Sequence, residues 1–154
     1  MLKTANLSYK FDDKYIFSNL SFETANDSVF KLVGDNGSGK STLLKILSGI
    51  YKNYEGDLSF SEKKLVFYLG HKAGLKNNLS VRENIFFDIR LPKISNSQIN
   101  SVLKKLDLID YSDIQSAYLS EGQKRKINIA SFMLSTANLY LLDEPFNNLD
   151  RKTT

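Results

Sequence analysis

The sequence predicts an α/β domain, and three features carry that prediction. Short segments rich in β-branched and aromatic residues fill the first third of the chain. A glycine-rich loop then leads directly into a helical pattern, and a mainly helical stretch, from about residue 77 to 136, precedes a last apolar strand. We therefore expect a single domain, 1–154, with a mixed sheet, an antiparallel N-terminal part and an inserted helical subdomain.

Composition narrows the class of protein. With 154 residues, 42% hydrophobic and 25% charged, the chain is typical of one folded globular domain. No apolar run approaches a membrane span, and the N-terminus lacks the apolar region of a signal peptide. The absence of cysteine excludes disulfides and favours the cytoplasm. The net charge of +4 comes from scattered lysines, which favours a solvated surface over a nucleic-acid groove.

Periodicity places the individual elements. β-Rich patterns predict strands at 3–9, 15–23, 29–33, 56–60, 64–70 and 139–142. Apolar residues at helical spacing predict helices at 40–49, 95–108 and from Ser120 to about residue 134. Ser95 with Gln98 has the spacing of a capping box, in which two side chains satisfy the first backbone donors of a helix.

The segment "GDNGSGKS", residues 34–41, fits the phosphate-loop pattern G-x-x-x-x-G-K-[ST] between a predicted strand and helix. Glycines let the backbone approach closely, so that N–H groups can cradle phosphate oxygens at a helix N-terminus. Lys40 adds a charge for the β- and γ-phosphates, and the Ser41 hydroxyl suits Mg²⁺. The alternative is an accidental glycine turn. The predicted nucleotide-binding residues here are Gly34, Asp35, Asn36, Gly37, Ser38, Gly39, Lys40, Ser41 and Thr42.

Two carboxylates, Asp143 and Glu144, end the buried strand "LYLL", where ligands of parallel sheets bind. Neighbouring strand residues face opposite ways, so the two acids are expected to differ in role. We expect Asp143 to hold Mg²⁺ and Glu144 to act as general base for the attacking water. The alternative is an exposed acidic strand end.

A second helix start lies in "YLSEGQKRK", residues 118–126. Ser120 and Gln123 are spaced for a capping box, which leaves N–H groups near Gly122 free to attract an anion. The chain already has one phosphate loop, so a nucleotide held by a partner molecule would be the use of this second site.

These residues carry a family resemblance, since "LSEGQ" resembles the LSGGQ signature of ATP-binding-cassette (ABC) ATPases. The resemblance spans the whole chain and implies the P-loop ABC ATPase fold, with ATP and Mg²⁺ as cofactors. It also implies a head-to-tail dimer with a second copy, in which Ser120, Gly122 and Gln123 cap the partner's ATP. Glu121 stands where the family has glycine, and its side chain is expected to point away from the phosphate.

The same resemblance assigns further residues. Phe11 resembles the aromatic that stacks on adenine, although Tyr9 is a rival and either could be core. In "NNLD", residues 147–150, Asp150 resembles the loop that communicates across the dimer; Asn147 departs from the usual serine.

The only histidine lies in "GHKAGLK", residues 70–76. Most ABC ATPases carry a glutamine ten residues before the valine that corresponds to Val81, and that register falls on His71. A neutral imidazole can accept from a metal-bound water as the glutamine does. The string is similar to that of one group, the ATPase of the haem exporter used in cytochrome c maturation. The resemblance implies a catalytic and metal-sensing role for His71; the alternative is an exposed loop histidine without a role.

The resemblance predicts an ATP-hydrolysing transporter subunit, peripheral on the cytoplasmic face of the inner membrane and docked on permease subunits, without a nucleic-acid partner. Alternatives are an ATPase of another transporter, a DNA-repair or translation ATPase, and a remnant that binds ATP without efficient hydrolysis. The family's γ-phosphate histidine and closing strands find no match before Thr154, so we expect a C-terminally truncated ATPase.

Overall fold

The computed structural model describes residues 1–71, 74–88 and 93–145. The predictions for Asn147 and Asp150 fall outside these ranges. Within them the strands are β1 Leu2–Phe11, β2 Lys14–Thr24, β3 Glu55–Phe60, β4 Val66–Leu69 and β5 Leu139–Leu142. The α-helices there are α1 Lys40–Ser48, α2 Val81–Phe86, α3 Asn96–Lys105 and α4 Glu121–Leu134.

The N-terminal sheet is antiparallel, in the order β2-β1-β3. Its first hairpin closes at the pair Phe11 and Lys14, with Asp12 and Asp13 between them at φ 46° and 60°. Two consecutive left-handed residues match the right-handed twist of the flanking strands, and aspartate tolerates that conformation. The predicted antiparallel part is therefore confirmed.

The second sheet is a parallel pair, in which Val66 faces Leu139 and Leu69 faces Leu142. It buries Phe67 completely and Leu141 almost so. The pairing brings Gly70 and Asp143 side by side at one sheet edge, because parallel strands end on the same side. The mixed α/β fold of the prediction is confirmed.

The predicted strand 29–33 is wrong. Residues 28–35 lie outside both sheets, and Val29 is fully exposed while Val33 is 83% exposed. A β-branched segment becomes a strand only when a neighbouring strand accepts its backbone hydrogen bonds. The two sheets of the described residues provide no such neighbour here.

The helical part has an apolar core of its own, separate from the one that joins α1 to the sheets. Its fully buried side chains include Val81, Ile85, Ile99, Leu103 and Ile127. Residues from α2, α3 and α4 contribute to it. The boundaries 77–136 for a helical subdomain stay a prediction.

Three helices begin at serine capping boxes. The boxes at Ser95 with Gln98 and at Ser120 with Gln123 are confirmed, and Ser80 with Glu83 forms a third at α2. The hydrogen bond from the Ser80 backbone is the main cause that lowers the pKa of Glu83. These caps fix where each helix starts, including the signature helix α4.

Candidate functional site

The phosphate loop is preformed. Gly37 and Gly39 lie in the left-handed region at φ 82° and 90°, and α1 begins directly after them at Lys40. Lys40 Nζ donates to the carbonyl oxygens of Gly34 and Asp35, both at 2.7 Å. These bonds hold the ammonium group across the loop, where it adds positive charge to the helix N-terminus.

A cavity of about 400 Å³ joins this loop to the two strand-end carboxylates. Its lining residues are Ile16, Asn36, Gly37, Gly39, Lys40, Ser41, Thr42, Asp143 and Glu144. The glycine loop predicted to bind phosphate and the candidate metal and base residues thus line one cavity. Ile16 was missed by the sequence reasoning, because a lone apolar residue early in a strand carries no signal of a site.

The two carboxylates differ in environment, and their expected difference in role stays a prediction. Asp143 is only 7% exposed, and its N–H donates to the Leu69 carbonyl oxygen at 2.8 Å. The Glu144 side chain is half exposed and follows a backbone with φ 49°. Glu144 is therefore accessible to water, whereas Asp143 is held against the sheet. The charge of Asp143 also affects Tyr68: burial is the main cause that raises the pKa of the Tyr68 phenol, and the negative charge of Asp143 acts in the same direction.

His71 lies beside the predicted general base. Its Nδ1 is 3.8 Å from Glu144 Oε2, and its side chain is 69% exposed. Loop 70–71 follows β4 and Glu144 follows β5, so the parallel pairing brings the two side chains together. The catalytic and metal-sensing roles of His71 stay predictions.

A buried arginine that sequence reasoning missed connects these elements. Arg125, in α4, is 5% exposed and, within the described ranges, donates to four backbone carbonyl oxygens. Its partners are Gly70 at 2.7 Å, Glu144 at 2.7 Å, Pro145 at 2.9 Å and Asp143 at 3.2 Å. Burial lowers the pKa of its guanidinium, and the charges of Asp143 and Glu144 oppose that shift.

The signature segment is a regular capped helix start. Gln123 N–H donates to Ser120 Oγ at 3.2 Å, and Ser120 N–H donates to Gln123 Oε1 at 2.9 Å. The Glu121 side chain is exposed and pairs with Lys124 at 2.9 Å. Neither Ser120, Gly122 nor Gln123 is among the residues that line the cavity.

The two candidates for adenine stacking, Tyr9 and Phe11, differ in their packing and exposure. Tyr9 stacks on Phe17 and on Tyr51, with ring centroids 6.4 and 5.6 Å apart, so it belongs to the core. Phe11 is 63% exposed at the end of β1 and does not line the cavity. Its adenine-stacking role stays a prediction.

Two of the predicted magnesium ligands, Ser41 and Asp143, line the cavity. Mg²⁺ keeps several waters and binds through one or two protein groups plus substrate phosphates, so these two oxygen donors suit it. Across the described ranges no cluster of three or more His, Asp or Glu side chains forms a complete metal cage.

Comparison with known proteins identifies the family. The model of the ABC transporter family matches residues 17–147, which is most of the chain. The chain belongs to the ABC transporter family. It is an ABC-type ATPase, and ATP is the nucleotide of that family.

Curated relatives of this ABC ATPase include proteins of cytochrome c biogenesis. A "Cytochrome c biogenesis ATP-binding export protein CcmA" from Yersinia pestis is 33% identical over 163 aligned positions. That match covers 99% of this chain and 75% of the relative. The protein of the same name from Tatumella citrea is 35% identical, with 98% and 76% of the two chains covered.

Solved structures confirm the fold of this ABC ATPase. A putative ABC transporter ATP-binding protein from Pyrococcus furiosus superposes with a TM-score of 0.83 at 25% identity, covering 99% of this chain and 79% of that one. An ATP-binding cassette in a dimeric post-hydrolysis state with ADP and phosphate also gives 0.83, at 23% identity. The second match covers 99% of this chain and 78% of the other.

One finding concerns membranes directly. Over the part of the chain that the structure describes, no helix combines the length and the apolar character needed for a membrane crossing.

The two left-handed glycines of the phosphate loop give a matched test. Gly39→Ala and Gly37→Ala each place a side chain in a conformation that costs about 1–2 kcal/mol. Only at Gly39 does the new Cβ also collide, at 2.8 Å from Ile16 Cγ2, whereas Gly37 has open space. We expect Gly39→Ala to lower the free energy of unfolding more than Gly37→Ala, measured by urea denaturation. Equal losses would show that the contact with Ile16 does not constrain the loop.

Proposed function

We propose that this chain supplies ATP-driven work to a membrane exporter of cytochrome c biogenesis, with haem as the exported group. The single observation that carries the proposal is the shared name of relatives at 33% and 35% identity, both nearly spanning the chain. The loop "GHKAGLK", which holds the only histidine, supports the same group over other transporters.

The proposed chemistry uses the residues around the cavity. Backbone N–H groups of the glycine loop and Lys40 bind the β- and γ-phosphates. Ser41 and Asp143 would hold Mg²⁺, which neutralises charge on the phosphate oxygens when bound. Asp143 suits this role because it is nearly buried and fixed by its backbone bond to Leu69.

Glu144 acts as general base in this proposal. Its carboxylate accepts a proton from the attacking water while the water oxygen bonds to the γ-phosphorus. The bond from that phosphorus to the bridging oxygen breaks, which yields ADP and phosphate. His71, 3.8 Å from the same carboxylate, is placed to orient the water or Glu144 itself.

We further propose that two copies enclose ATP head to tail. The start of α4 lies outside its own chain's cavity and carries N–H groups suited to a partner's γ-phosphate. Glu121 does not oppose this, because it is turned toward Lys124. A similar cassette was solved as a dimer with ADP and phosphate.

The proposed location is peripheral, on the cytoplasmic face of the inner membrane, with permease subunits as partners. Exposed aromatic residues of the helical part, Phe86, Phe87 and Tyr118, are more than half exposed and suit a protein contact. In this arrangement the permease subunits contact the helical part and the nucleotide binds at the loop, on different surfaces.

Nucleotide binding is tested at Lys40. Lys40→Ala removes charge-assisted hydrogen bonds worth about 1.5–3 kcal/mol, so we expect ATP affinity to fall roughly 10- to 100-fold. Lys52→Ala removes the same charge from an exposed position outside the cavity and is the control. The measurement is titration with a fluorescent ATP analogue. Equal affinities of Lys40→Ala and wild type would remove the nucleotide role of the loop.

The general base is tested by Glu144→Gln. This variant keeps the size of the side chain but cannot take a proton, so ATP binding is expected to persist while turnover falls about 100-fold or more. With ATP and magnesium the dimer is expected to accumulate, measured by sedimentation. Normal turnover of this variant would refute the assignment of Glu144.

The exporter role is tested in the source organism. We expect deletion of the gene to abolish mature c-type cytochromes, as detected by haem staining of gels. Plasmid-borne wild type and Lys52→Ala restore them, whereas Lys40→Ala does not. Unchanged cytochrome levels after deletion would contradict a role in this pathway.

A further inference from the structure

Among the residues that the structure describes, the buried charged side chain of Arg125 has no part in the proposed hydrolysis. Arg125 lies in the second turn of α4, 5% exposed. Burial of a guanidinium is costly unless its donors are satisfied. An arginine in this place therefore points to a specific task for the hydrogen bonds that it makes.

All four of its described acceptors are backbone carbonyl oxygens at the ends of β4 and β5. Nη1 holds Gly70, the residue before His71, at 2.7 Å. Nη2 holds Asp143 at 3.2 Å and Glu144 at 2.7 Å, and Nε holds Pro145 at 2.9 Å. The planar fork of one guanidinium thus fixes the backbone on both sides of the His71 and Glu144 pair.

The Glu144 backbone needs such a restraint. Its φ of 49° is left-handed, a conformation that is unfavourable for a non-glycine residue and persists only when its surroundings hold it. Three consecutive carbonyl groups, those of residues 143, 144 and 145, are bound by the same side chain. Arg125 therefore stabilises the backbone conformation that directs the Glu144 carboxylate toward His71.

We propose that Arg125 is a positioning residue for hydrolysis, which fixes the backbone at Gly70 and at 143–145 so that Glu144 and His71 face each other beside the phosphate loop. The inference rests on the proposed role of Glu144 as general base. Because α4 also carries the signature start, the same side chain joins that helix to the site. Misplacement of a reacting group by about 1 Å can cost roughly 100-fold in rate.

Lysine cannot replace this arginine. It offers a point charge with three donors on one nitrogen, and it cannot span carbonyl groups at two strand ends. Arg125→Lys therefore keeps the charge and removes the fork. The matched control is Lys126→Arg, the reverse exchange at the next position of the same helix.

The first measurement is structural and uses the fact that the chain has a single histidine. In ¹⁵N-labelled protein at fixed pH, the imidazole signals belong to His71 alone. We expect Glu144→Gln to shift them, Arg125→Lys to shift them in the same direction, and the double variant to add nothing. Lys126→Arg is expected to match wild type.

Imidazole signals of a folded Arg125→Lys that coincide with wild type would overturn the proposal, and so would unchanged signals in Glu144→Gln. Thermal unfolding checks the fold, with Arg125→Gln as a second variant. Loss of cooperative unfolding in both variants would also overturn it, because a positioning role leaves the two cores intact.

The second measurement is ATP turnover. We expect Arg125→Lys to lower kcat about 100-fold with KM for ATP unchanged, and to cause no further loss in the Glu144→Gln background. Additive losses in that double variant would contradict action through Glu144. If Glu144→Gln alone turns over normally, the general-base proposal fails. If it is impaired while Arg125→Lys is normal, only the positioning role fails.

Discussion

The short parallel pairing of β4 with β5 is the constraint from which the site follows. Four residues on each strand join segments that are about 70 positions apart, and the register ends with Leu69 opposite Leu142. The next residues, Gly70 and Asp143, therefore lie together at one sheet edge. Leu141 belongs to the same buried cluster as the helix that follows the phosphate loop, so the loop and the two acids line one cavity. His71 lies beside one of these acids, with its Nδ1 3.8 Å from Glu144 Oε2.

Apolar packing and hydrogen bonds fix different features of the site: packing fixes distances, and hydrogen bonds fix directions. The cluster of α1 leucines with the sheets fixes the distance between the phosphate loop and the strand ends, because packed interiors tolerate little displacement. Burial alone does not set the direction of a half-exposed carboxylate such as Glu144. The four carbonyl bonds of Arg125 add that directional information, since hydrogen bonds weaken steeply with angle.

Sequence reasoning predicted the elements whose signal is local. The glycine-lysine loop and the serine caps of α3 and α4 are short patterns with a direct backbone cause. Features that depend on residues distant in the chain leave no such local pattern. Segment 29–33 reads as a strand but has no strand beside it in either sheet, and Arg125 and Ile16 gain their places only from tertiary packing. The left-handed turn at Glu144 also has no local signature, because glutamate rarely adopts it.

In the proposed dimer, one ATP is enclosed by the phosphate loop of one copy and the start of α4 of another. The chain has no cysteine, so the double variant Ser38→Cys and Glu121→Cys provides a crosslinking pair without background. With ATP, magnesium and a mild oxidant, we expect a disulfide-linked dimer on a non-reducing gel, and little of it without nucleotide. A protein that stays monomeric under all these conditions would rule out this head-to-tail arrangement.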